Sequence, residues 1–344
     1  MSCRCTVYSS SRARISFFPT QTMKETLLPL IWGQVLSLIL SGAYIFNQLV
    51  NEIGVYSSLF PNEVMYFLLF LVCLPQSKFI FTLYKNTSAN NRFWAFMLGA
   101  IDVLANTCML KAFEYTSGVS AVLISSTSCI FTVPLAIIFL KAKYNIVHGG
   151  GILLAICGLV CINLSKYKRA TDTYEDTNFD LTGTMLAVIA ALGFASCSVI
   201  QTKIISKIDN HDSYPWAALA TYGFGSLLLS VIISNGTEFG RQDRDSWILS
   251  DSPQKYFLCG LVICSTLFYL ATPIYLQRFS AINFQMSILT ADIGVYIFNV
   301  FYLKVQLSPL YVVGFFIVLM GLGIFNLGFM KHKDIAALEE VSQD

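Results

Sequence analysis

Residues Leu181–Thr202 read LTGTMLAVIAALGFASCSVIQT, with no Asp, Glu, Lys or Arg in the run. A helix needs about 20 mostly apolar residues to cross the hydrocarbon core of a bilayer, and this stretch reaches that length. It is apolar all round and does not alternate, as the short strands of a membrane barrel would. A helix satisfies its own backbone N–H and C=O groups, which lipid cannot do for it. The stretch therefore reads as a transmembrane helix.

Six other runs are equally free of charge: Leu27–Val50, Gly118–Leu140, Asn145–Ser165, Ser213–Thr237, Tyr256–Gln277 and Val305–Met330. Three more carry isolated charges. Pro61–Leu83 holds Glu63 and Lys78, Phe93–Leu110 holds Asp102, and Phe279–Leu303 holds Asp292. The expected fold is an all-α polytopic membrane protein with about ten spans.

Composition supports this class. The 344 residues are 55% hydrophobic and 12% charged, whereas soluble domains carry about 25% charged residues. A soluble fold of this size lacks the charge to clothe its surface. The net charge of +2 gives no pull toward nucleic acid, so the expected surroundings are the lipid bilayer and a small-molecule solute. Most of the ten cysteines lie inside apolar runs, among them Cys108, Cys129, Cys157, Cys161, Cys197 and Cys264, and read as small packing residues. Cys3 and Cys5 form a lone pair in a tail, too few donors for a metal site. No phosphate-binding loop and no common metalloprotease or hydrolase signature is present. The expectation is no enzyme, no cofactor and no metal.

With the N-terminus inside, Lys and Arg on the inner segments outnumber those on the outer ones two to one, which places both termini in the cytoplasm. The cluster at Lys166, Lys168 and Arg169 runs against that trend. Asn235-Gly-Thr237 is a glycosylation sequon on the outer side by this assignment, and Asn86-Thr87-Ser88 one on the inner side. Residues 1–25 read as a cytoplasmic tail rather than a transit peptide, with Met23 an alternative start.

A repeat runs through the chain. Leu140-Lys141 matches Leu303-Lys304, Thr127 matches Thr290, Gly151 matches Gly314, Gly158 matches Gly321 and Asn163 matches Asn326, every pair 163 residues apart without a gap. The halves are 26–166 and 181–330, with a linker at 167–180 and a cytoplasmic tail at 331–344. Five spans per half force the second copy to insert upside down, an arrangement suited to alternating access around a site between the halves. The four glycines are read as packing positions, since small residues let helices approach closely in lipid.

A charge at mid-membrane costs at least about 2.5–3.5 kcal/mol on insertion scales, so Asp102 and Asp292 are the leading site candidates. Asn106 lies one turn beyond Asp102. Two polar stripes run along the ninth span: Gln285, Asp292, Tyr296 and Asn299 on one, Asn283, Ser287, Thr290 and Gly294 on the other. The sequence leaves open which stripe faces a cavity. Asp102, Asn106, Asn283, Thr290 and Asp292 are therefore the substrate- or ion-binding candidates. Gln34, Asn47, Gln48 and Gln201 are further polar groups within spans, and His148 reads as an interfacial residue at a helix start. Lys111 and Glu114 read as an ion pair, and Pro134 and Pro273 as points where a helix bends.

The segments Gly99-Ala-Ile-Asp-Val-Leu-Ala-Asn106, Ala112-Phe-Glu-Tyr-Thr-Ser117, Leu140-Lys-Ala-Lys-Tyr144 and Ile288-Leu-Thr-Ala-Asp292 resemble the F-group of solute carrier family 35, in the drug/metabolite transporter superfamily. The resemblance runs from about Gly33 to Asn326. It implies two inverted five-helix halves, a central site and alternating access. It also implies a nucleotide-sugar, nucleoside or nucleobase-like solute, and a plasma, Golgi or endoplasmic reticulum membrane. A homodimer is compatible with it. The other reading is a non-transporting receptor or scaffold built on a transporter fold, against which the short loops argue.

Overall fold

The computed structural model describes residues 20–52, 59–76, 89–115, 124–141, 146–172, 181–205, 214–237, 241, 244–245, 252–302 and 309–341. These form α1 (Thr20–Glu52), α2 (Phe60–Cys73), α3 (Ala89–Tyr115), α4 (Ser128–Leu140), α5 (Ile146–Asp172), α6 (Leu181–Ile205), α7 (Tyr214–Gly236), α8 (Ser252–Arg278), α9 (Ala281–Ile288), α10 (Ala291–Phe301) and α11 (Pro309–Val341). No strand occurs among the described residues. Five stretches are long and apolar enough to span a membrane: Leu28–Val50, Arg92–Ala112, Leu181–Ile205, Lys255–Arg278 and Ala281–Phe298. Shorter apolar helices at Phe60–Val72, Ile124–Leu140, Ile146–Gly158, Gly223–Gly236 and Pro309–Phe325 occupy the remaining sequence-predicted spans. The Cys3–Cys5 pair, the Asn86 sequon, Lys78 and Lys304 lie outside the described residues.

Large apolar side chains cover the outside as well as filling the core. Leu38, Ile138 and Phe301 face outward, while Ser37, Ser41, Asp102, Ser128, Ser198, Ser226, Gln285 and Asp292 are buried. This is what a lipid-facing exterior and a polar seam between helices require. Helices also continue past the apolar runs. α1 begins at Thr20 inside the expected tail, α5 runs to Asp172 into the expected linker, and α11 reaches Val341. Lys, Arg, Ala and Glu favour helix, so nothing stops the helices at the polar boundary.

The repeat is visible in the backbone. α3 and α8 start and end 163 residues apart, α4 and α10 start 163 apart, and so do α5 and α11. Spans four and nine are both broken, at Thr127 and Thr290. Their backbones match, with φ, ψ of −67°, −8° and −77°, −7°. Each threonine hydroxyl donates to the carbonyl three residues back, Thr127 to Ile124 at 2.5 Å and Thr290 to Ser287 at 2.7 Å. Each of those carbonyls also accepts the threonine's own backbone N–H, at 3.0 and 3.2 Å, so the two breaks share one local bonding pattern. The halves interlock: α3 packs on α6 as α1 packs on α8, α4 packs on α6 as α9 and α10 pack on α1, and α5 lies along α11.

The α5–α11 contact rests on the repeated glycines. A Cβ built on Gly158 would lie 2.7 Å from the Gly314 carbonyl oxygen, and one on Gly321 2.7 Å from that of Gly151. Each glycine thus admits the backbone of the other half. Proline lies inside α4 and α8, at Pro134 and Pro273, as the sequence places them. His148 lies at a helix start, as the sequence places it, and is buried at 1% exposure, edge-on to Phe325 at 5.2 Å, because the close α5–α11 approach covers the first turn of α5.

Overpacking typically costs about 1–3 kcal/mol, and at Gly158 the obstructing atoms include the backbone of Gly314 and Val318, which cannot swing aside. Gly158→Leu is expected to lower the melting temperature in detergent and reduce the monodisperse fraction on size exclusion. Gly323→Ala, whose added Cβ meets nothing within 4 Å, is expected to leave both unchanged.

Candidate functional site

Between the halves lies a cavity of about 190 Å³. α1 contributes Tyr44 and Asn47, α2 contributes Pro61, Asn62 and Met65, and α3 contributes Asp102 and Asn106. The broken fourth span adds Ser125, Ser126 and Ser128. α6 adds Phe194, Ser198 and Gln201, and α8 adds Ser265, Phe268, Tyr269 and Thr272. The ninth span closes it with Phe284, Gln285, Ile288, Leu289 and Asp292. The lining reaches the end of the bundle where α1 finishes and α2 begins.

Asp102 is the hub. It is 3% exposed, at the middle of α3. Tyr66 of α2 donates its hydroxyl to Asp102 Oδ2 at 2.5 Å, Tyr269 of α8 donates at 3.0 Å and Asn106 Nδ2 at 2.9 Å. A carboxylate accepts all three together, since it offers about four lone-pair sites. Asn106 Nδ2 also lies 2.9 Å from the Tyr269 hydroxyl. Asn106 and Tyr269 are equivalent positions of the repeat, 163 apart, so this contact sits on the approximate twofold relating the halves.

Asp292 occupies the first turn of α10, where the helix dipole favours a negative group. Ser126, beside the break in span four, donates to Asp292 Oδ2 at 3.2 Å. The Asp292 carbonyl accepts from Tyr311 of α11 at 3.1 Å, and Tyr311 stacks on Tyr296 with centroids 3.4 Å apart. The two broken spans thus bring their midpoints to one cavity.

The floor is closed by polar and aromatic contacts. Ser128 donates to Gln285 Oε1 at 2.9 Å, and Gln285 Nε2 donates to Ser198 at 3.2 Å. Below them Phe284 packs against Phe268 and Tyr275, and Tyr275 packs against Phe279 at 4.8 Å. At the opposite rim, beside Pro61 and Asn62, Arg244 pairs with Glu63 at 3.4 Å. It also donates to Ser234 at 2.7 Å and to Asn235 Oδ1 at 2.9 Å. Asn235 Nδ2, the atom a glycan would take, donates to the Val231 carbonyl at 2.9 Å.

The five candidates separate. Asp102, Asn106 and Asp292 line the cavity, whereas Asn283 and Thr290 do not. The stripe with Gln285 and Asp292 faces inward, and the stripe with Ser287, Thr290 and Gly294 packs on α1. Thr290 bonds Ser37 at 2.7 Å and Gln34 at 2.9 Å, and Cβ positions on Gly33 and Gly294 would collide with Ser287 and Ser41. Thr290 is a break-stabilising and packing residue. Asn283 is buried, and its Oδ1 has no hydrogen-bond partner among the described residues. The side chains of Asn299 and Glu114 lie outside the description. Sequence reasoning passed over Tyr66, Tyr269, Ser126, Ser198 and Arg244, whose roles come from distant segments. The 163-residue offset from Asn106 to Tyr269 was a signal available for one of them.

A family model described as Solute carrier family 35 matches residues 22–327. The chain is 26% identical to solute carrier family 35 member F2 of Xenopus tropicalis, over 87% of this chain and 76% of that protein. It is 23% identical to member F2 of Mus musculus, over 90% and 80%. It is also 26% identical to an uncharacterized solute carrier family 35 member of Schizosaccharomyces pombe, over 86% and 57%. A solved crystal structure shares the fold at 11% identity, with a TM-score of 0.57 over 90% of this chain and 98% of the other.

Tyr66→Phe leaves a buried acceptor short of a donor, a loss worth about 1–3 kcal/mol. The variant is expected to melt earlier than wild type in a detergent thermal-shift assay, while Tyr302→Phe, at an exposed ring, is expected to melt with it.

Proposed function

The chain belongs to solute carrier family 35, and on that premise we propose that it is a secondary transporter moving a small polar organic solute by alternating access. The observation that carries this reading is a largely apolar cavity between two interlocked halves, with Asp102 in its wall bonded to side chains from both. Buried acids in a membrane protein mark solute or ion paths because their insertion is costly. Broken helices, here the fourth span of each half, are the recurring device of inverted-repeat carriers. Segments 26–166 and 181–330 act as the two moving parts.

The Lys and Arg bias places both termini in the cytoplasm. The end where α1 finishes and α2 begins then faces away from the cytoplasm, and the cavity is open to that side. Asp102, Asn106 and Asp292 contact the solute or a coupling ion. Thr290 holds the ninth span on α1 and acts on transport through its position. A cavity of about 190 Å³ is smaller than the roughly 300–1,000 Å³ of pockets for drug-sized ligands, which favours a nucleobase-sized solute over a nucleotide sugar.

Uptake by the purified protein in liposomes tests the proposal. Across a panel of nucleobases, nucleosides, nucleotide sugars and small amines, at least one solute is expected to enter saturably above empty vesicles. Asp102→Ala is expected to cut that flux about tenfold or more, the equivalent of one lost charge-assisted contact, while eluting normally on size exclusion. Flux equal to empty vesicles for the whole panel would refute the carrier reading.

A further inference from the structure

The charge of the cavity wall has a consequence for the solute. Asp102 and Asp292 both face the cavity, and among its described lining residues there is no Lys, Arg or His. Residues 116–123, the undescribed part of the fourth span, hold no basic residue either. Two described cations near the ends of the bundle are occupied elsewhere. Arg244 is held by Glu63, Ser234 and Asn235 at the rim, and Lys203 lies over the rings of Trp94 and Phe139 at 5.2 and 5.3 Å.

Resting on the carrier reading, we propose that the solute is a small organic cation, an ammonium or amidinium group on a flat apolar body, and that Asp102 is its counter-ion. Three independent features converge on this class. The first is sign: two carboxylates in a low-dielectric cavity attract a monocation and repel a pyrophosphate, and a like charge brought into such a site acts as a barrier to the wrong partner. The second is preorganisation: Tyr66, Tyr269 and Asn106 hold the Asp102 carboxyl beside the Asn106–Tyr269 contact that joins the halves, so a cation there stays in reach of both. The third is surface: Tyr44, Phe194, Phe268, Tyr269 and Phe284 line the cavity, and aromatic faces attract cations as well as flat rings. The Ser126 and Asp292 pair supplies a second acceptor across the cavity from the Asp102 hub.

The test uses the full chain in liposomes with four probes: benzamidine, tyramine, neutral adenine and UDP-glucose. Benzamidine or tyramine is expected to enter saturably, adenine about tenfold less efficiently, and UDP-glucose not above empty vesicles. Asp102→Asn keeps the shape and removes the charge. It is expected to lower kcat/KM for the cation about tenfold or more, and Asp102→Glu to restore part of the cation flux. A second readout is independent of transport: benzamidine is expected to raise the melting temperature of the wild-type protein and not of Asp102→Asn. Preference for UDP-glucose or adenine over both cations would overturn the cation assignment and leave the carrier reading standing. No flux for any probe, together with no thermal shift from any, would overturn both.

Discussion

A carboxylate cannot stay in the middle of a bilayer without partners, and the described core is arranged around that constraint at Asp102. The donors come from α2, α3 and α8, so the bond network is satisfied only when the two halves are together. Buried polar networks of this kind are worth most when every member is paired, because the low dielectric that strengthens each bond also penalises each gap. The hub therefore does two things with one set of atoms. It fixes the approach of α2, α3 and α8, and it leaves a charged group at the wall of the cavity.

Around the hub, the duplicated backbone solves the remaining membrane problems twice. The threonines at the two breaks return their hydroxyls to nearby carbonyls, so each break is tied by side chain and backbone alike. The glycines of α5 and α11 solve close approach in the same doubled way, Gly151 against Gly321 and Gly158 against Gly314. Packing of this sort replaces the hydrophobic drive that lipid removes. Polar residues along α1 then hold the ninth span, with Ser37 and Gln34 on Thr290 and Ser41 on the Ala291 carbonyl.

The spans, the duplication and the glycine seam were legible in the sequence because each is a local or periodic property. Apolar length, a constant offset and residue size survive without coordinates. Asp102 was legible for the same reason, as a charge in an apolar run. The stripe facing the cavity was not, since Asn283 and Asp292 are both polar groups on one span and only the position of α1 decides between their faces. Tyr66 and Tyr269 stayed hidden because tyrosine is common in membrane helices, and its hydroxyl acquires meaning from a carboxylate on another helix. The burial of His148 stayed hidden because the seam that covers it is a contact between α5 and α11, which a position at a helix start does not reveal. The Glu63–Arg244 pair joins residues 181 apart, beyond any local pattern.

Backbone symmetry does not extend to the side chains that close the cavity. The floor uses Phe268, Tyr275, Phe279 and Phe284 from the second half. At the offset of 163 residues their first-half equivalents are Ala105, Ala112, Thr116 and Ala121. Ala105 instead lets α6 come close to α3, where a Cβ on Gly193 would meet it at 2.6 Å. Small residues bury far less area than rings do, so the aromatic floor has no counterpart of equal strength in the repeated sequence. The two ends of the cavity therefore differ in side chains even though the backbone nearly repeats. At the α1–α2 end Tyr44, Asn47, Met65 and the Arg244 clasp are the groups in place.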